Sequence, residues 1–106
     1  MVAARSSLRT RMVAVLALVL VACSGVPEDA SAPDVYALSC ARCHGSQLEG
    51  GVGPALGAGT NSADQPDEYL VTTISRGFGR MPGFSGTLTD EQILALVAFL
   101  RDEQAG

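Results

Sequence analysis

Residues 40–44 read Cys-Ala-Arg-Cys-His and gather two of the three cysteines and the only histidine of a 106-residue chain. A chain of this length holds one small domain. A core so small usually needs a disulfide, a metal or another staple to hold it together. What these two thiols and one imidazole bind therefore constrains the fold more than any other feature. Three chemistries compete: a structural metal, a thiol–disulfide couple and a covalent haem.

The N-terminus narrows the choice by fixing the compartment. Arg5, Arg9 and Arg11 precede the apolar run MVAVLALVLVA at 12–22. A positive segment followed by a short apolar one reads as a secretory signal. Eleven residues fall short of the roughly 20 that a spanning helix needs. The run ends in LVAC at 20–23, which resembles the lipobox of bacterial lipoproteins. That resemblance implies a signal peptide over 1–22 and a diacylglyceryl thioether on Cys23. The expected location is exported and lipid-anchored, in the periplasm or on the extracytoplasmic face of a membrane. Processing would leave four arginines (Arg42, Arg76, Arg80 and Arg101) against all eleven Asp and Glu, a net charge of −7. Such a balance argues against nucleic acid as a partner. The stretch SGVPEDASAP at 24–33 has the composition of a flexible tether. The expected organisation is a signal over 1–22, a lipid-anchored tether over 23–33 and a folded domain over 34–106.

Three helical stretches stand out in that domain. DVYALSCARCH, 34–44, follows Pro33, which suits a helix start, and carries Asp34 in its first turn. PDEYLVTTISRG, 66–77, places acids first, aligns Leu70 with Ile74 and offers Gly77 as a left-handed stop. TDEQILALVAFLRDE, 89–103, opens on a capping box, Thr89 with Gln92. Ile93, Leu96, Val97 and Leu100 then follow helical periodicity. The glycine-rich segment 45–63 shows no alternation and reads as loop. The expected class is all-α, three main helices joined by long loops.

Against this frame the options for Cys40, Cys43 and His44 separate. Structural zinc wants four ligands, commonly as two pairs, and no second pair remains once Cys23 is lipidated. A redox dithiol usually follows a strand in a βαβ unit, and no strand precedes residue 40. Two idle thiols in an exported protein would oxidise. C-x-x-C-H is the attachment signature of c-type haem: the thiols add to the two vinyl groups, and the adjacent imidazole reaches the iron from the same side. The sole methionine downstream of the signal, Met81, lies in GRMPGFSG between Gly79 and Gly83. Glycines let a loop pass close to a porphyrin, and Met is a known axial partner of His.

Taken together, residues 34–102 resemble the class I cytochromes c. The resemblance rests on CARCH, on GPAL at 53–56, on RMPGF at 80–84 and on LVAFL at 96–100, in the family's order. It implies the cytochrome c fold around one covalent haem c. Cys40 and Cys43 would be the thioethers, and His44 and Met81 the axial ligands. Pro54 would accept a hydrogen bond from the proximal imidazole through its carbonyl, and Leu56 would pack beside the haem. Tyr36, Leu96 and Phe99 match the crossing of the first and last helices. With both axial positions filled, no site is left for a small-molecule substrate. The expected role is single-electron carriage between respiratory protein partners, a donor and a terminal oxidase or reductase, without catalysis. The alternatives are a haem relay subunit of a larger oxidase or reductase complex, or a haem sensor or enzyme with a labile Met81. Arg42, Arg76 and Arg80 lie close in sequence to the haem-ligating residues, which suggests a basic rim on an acidic body.

Overall fold

The computed structural model describes residues 25–106. The described residues form an all-α domain: α1 (Ala32–Ser39), a short α2 (Ala41–His44), a 3-10 turn (Asn61–Asp64), α3 (Asp67–Arg76) and α4 (Asp90–Ala105). None of these helices is long and apolar enough to cross a membrane. The signal and Cys23 lie outside the described residues.

Each helix begins where its local chemistry allows. Thr89 Oγ1 accepts from the Gln92 amide at 3.1 Å, and Gln92 Oε1 accepts from the Thr89 amide at 3.0 Å. This reciprocal cap stabilises a helix start by about 1 kcal/mol. α3 carries Asp67 and Glu68 in its first turn and ends at Gly77, whose φ of 82° suits a residue without a Cβ. α1 starts two residues before the expected Asp34. Ser31 is its cap, accepting from the Asp34 amide at 3.4 Å, and Pro33 sits inside the first turn. The expected single helix over 34–44 is broken at Cys40, whose φ of −115° departs from helical geometry, although the His44 amide still donates to the Cys40 carbonyl at 3.0 Å.

α4 packs against both α1 and α3. Val35, Ile93 and Leu96 are the largest side chains wholly withdrawn from solvent. Burial of each stabilises the fold by roughly 1.5–3 kcal/mol. The Tyr36 and Phe99 rings meet at 5.6 Å with a 50° tilt, an arrangement favoured by aromatic quadrupoles. Arg101 ties the far side together. Its Nε lies 2.7 Å from Asp67 Oδ1, and its terminal nitrogens donate to the carbonyls of Ser62, Ala63 and Gln65. One side chain of α4 thus holds the 3-10 turn and the start of α3. The segment expected as a tether is docked from Val26 onward: Val26 and Ala30 pack against the core.

Candidate haem site

The proximal half is built by α2 and the loop that follows it. His44 ends α2 and is 8 % exposed. Its Nδ1 lies 2.8 Å from the Pro54 carbonyl oxygen. A carbonyl only accepts, so Nδ1 carries the proton and Nε2 keeps its lone pair for a metal. Gly53 makes this approach possible: a Cβ there would stand 2.9 Å from His44 Cε1 and 3.0 Å from Nδ1. The loop is fastened to α2 through its backbone. The Gly50 amide donates to the His44 carbonyl at 2.7 Å and the Gly53 amide to the Cys43 carbonyl at 2.8 Å. Tyr36 Oη donates to the Gly45 carbonyl at 2.7 Å, steadying the turn that leaves His44. Leu56, partly buried against the core, donates its amide to the Leu48 carbonyl at 2.9 Å and accepts from Gln104 Nε2 at 2.9 Å.

The distal candidate comes from the loop after α3. Phe78 and Met81 exchange backbone hydrogen bonds at 2.9 and 3.1 Å. Gly79, with φ of 56°, makes that tight turn. The Phe84 amide donates to the Ile74 carbonyl at 2.8 Å and the Ser85 amide to the Ser75 carbonyl at 3.2 Å, sewing the loop onto the last turn of α3. Gly77 has no room for a side chain, since a Cβ there would meet the Met81 carbonyl oxygen at 2.4 Å. Met81 itself is half-buried and packs against the core.

The donor set suits a covalent haem better than its rivals. Among the described residues no three His, Cys, Asp or Glu gather as a metal-binding group. Burial pushes the Cys40 thiol up to about 11, whereas a reactive redox dithiol needs a lowered value. Cys40 and Cys43 are free, half-buried and one turn apart beside a histidine whose outer nitrogen is uncommitted. The roles of Gly53, Tyr36 and Gln104 in this assembly were not among the expected site contacts. Gly53 alone had a local signal, as the residue before Pro54.

Comparison with known proteins agrees with this chemistry. Residues 27–100 match the family described as cytochrome C oxidase, cbb3-type, subunit III. The chain is 31 % identical over 79 residues to cytochrome c6 of Leptolyngbya boryana, covering 72 % of this chain and 93 % of that protein. It is 32 % identical over 82 residues to cytochrome c55X of Stutzerimonas stutzeri, covering 76 % and 72 % respectively. Among solved structures, the c-type cytochrome NirC aligns with a TM-score of 0.59 at 33 % identity, over 67 % of this chain and 85 % of that one.

Proposed function

This chain belongs to the c-type cytochromes, through the family of cbb3-type cytochrome c oxidase subunit III, and on that premise we propose that it is a membrane-tethered monohaem carrier of single electrons. The family carries covalent haem c, and Cys40 and Cys43 fit its attachment motif. Haem supplies an iron centre that gains and loses one electron. In this reading Cys40 and Cys43 form the thioethers, His44 and Met81 are the axial ligands, and Pro54 and Leu56 support the proximal side. The single observation that carries it is the 2.8 Å contact of His44 Nδ1 with the Pro54 carbonyl. That contact fixes the tautomer and the ring angle, leaves the Nε2 lone pair uncommitted and raises its donor strength. As an axial ligand, the thioether of Met81 would favour the reduced iron and raise the potential.

The surroundings supply a surface for protein partners. Val52 is 83 % exposed beside Gly53, and Phe78 is 74 % exposed in the Met81 turn. Arg42, Arg76 and Arg80 are exposed near the same residues, while Arg101 is engaged in the body of the fold. Apolar residues rimmed by charge suit brief, salt-sensitive docking. The signal over 1–22 and lipidation of Cys23 would hold the carrier beside its partners on the extracytoplasmic face. Oxidised and reduced absorption spectra with a pyridine haemochrome test the core reading. Haem that stays on the peptide through acid–acetone extraction, with both vinyls saturated, is expected, and extractable haem overturns it.

A second reading, a relay subunit fixed in a larger complex, is favoured by the family's description as an oxidase subunit. Detergent extraction separates the two. A carrier emerges alone, and a subunit emerges with stoichiometric partners.

A further inference from the structure

The N-terminal segment is pinned to the body of the domain by one side chain. Gln92 Nε2 donates to the Pro27 carbonyl at 2.8 Å, across 65 residues of sequence. The same carbonyl accepts from the Ala30 amide at 3.1 Å, and Val26 and Ala30 pack against the core. Gln92 is only 6 % exposed, so water does not readily replace the bond. Its other atom, Oε1, completes the cap of α4. A glutamate would serve that cap equally well. Only the amide of glutamine also donates, and that donor is what reaches Pro27.

The pin leaves little slack. Ser24 and Gly25 alone separate Cys23 from the packed Val26, a reach of at most about 10 Å. Resting on the lipidation of Cys23 proposed above, we infer that this strap seats the N-terminal ends of α1 and α4 against a phospholipid headgroup layer, so the domain rides the membrane in one orientation instead of swinging on a tether. Glu28, Asp29, Asp34, Asp90 and Glu91 are exposed around the strap. Anionic headgroups repel them, so the strap and not adhesion sets the orientation. His44 lies at the end of the α1–α2 segment farther along the chain from the strap.

Linear dichroism of the haem band, measured on full-length lipidated holoprotein in oriented phosphatidylcholine multilayers, tests the strap. The native protein is expected to be dichroic. Gln92→Glu keeps the cap and removes the donor to Pro27 at neutral pH, and the dichroism should fall to near isotropic. A flexible Gly-Ser insertion between Gly25 and Val26 should do the same. An isotropic native haem, or either variant as dichroic as the native protein, overturns the inference. Mass spectrometry of the same samples separates the failures. Lipid on Cys23 with isotropic haem refutes the strap alone, and Cys23 without lipid refutes the anchor and the strap with it.

Discussion

Two glycine-rich loops present the two proposed iron ligands, and they do so by different physics. The loop after His44 grips the side chain itself: the Pro54 carbonyl holds Nδ1, and Gly53 passes so close that a Cβ there would crowd the ring. The loop around Met81 grips only backbone. Its turn closes through Phe78 and Met81 main-chain bonds and is sewn to Ile74 and Ser75, while the thioether is placed by packing alone. An imidazole held by a hydrogen bond and by crowding has one available pose. A thioether held by its own backbone has several, because methionine is flexible and its sulfur a weak acceptor. Of the two proposed ligands, His44 is therefore the fixed post and Met81 the replaceable one.

The largest expected effect follows directly. Met81→Ala should keep covalent haem, bind added imidazole and turn the reduced protein from inert to stoichiometrically reactive with CO, as read by its absorption spectrum. Retained inertness would place the sixth ligand elsewhere. The same asymmetry governs high pH. The chain has no lysine, and its single histidine is the proposed proximal ligand, so alkaline loss of Met81 should give hydroxide or an open position, with no amine ligation in EPR.

Glycine substitutions sharpen the contrast. Gly53→Ala drives a Cβ into the imidazole and should cost about 1–3 kcal/mol by overpacking, with a shifted haem spectrum. Gly79→Ala meets nothing within 4 Å and is opposed only by its positive φ, about 1 kcal/mol, with the spectrum unchanged. Chemical denaturation monitored at the haem band measures both. Equal spectral shifts would erase the distinction.

A smaller effect concerns Tyr36. Burial first, then the neighbouring Cys40 and Glu49, pushes its phenol from 10.0 to about 12. The burial contribution persists once Cys40 is a thioether. A raised value means the protonated phenol is favoured in the fold, so its stabilisation is complete below pH 10 and lost as pH rises toward about 12. Tyr36→Phe removes the donor to the Gly45 carbonyl and should cost about 1 kcal/mol at neutral pH. Its stability should then fall less steeply than the native protein's across that alkaline window.

What the sequence made legible was local. Thr89 with Gln92 and the stop at Gly77 are codes spanning four residues or fewer, and α3 and α4 were placed by them. The all-α class followed from periodicity and from the absence of alternation. The start of α1 was misplaced because Pro33 suits a first turn at more than one position, and only Ser31's hydroxyl contact settles the register. The 3-10 turn at Asn61–Asp64 has no apolar period to show it. Arg101 and Gln92 act on residues 34 to 65 positions away, so no window along the chain contains both partners. CARCH was readable because haem attachment compresses two bonds and a ligand into five residues. The Pro54 contact was anticipated only through resemblance, since nothing in spacing alone aims a carbonyl at a ring.

The unequal pair of ligands is tested most directly by proton NMR of the reduced holoprotein. A methyl bonded through sulfur to iron sits over the porphyrin face, where the ring current shifts it far upfield. One such three-proton resonance is expected, absent in Met81→Ala while the imidazole resonances of His44 remain shifted. A native spectrum without an upfield methyl, or one that survives Met81→Ala, would contradict it.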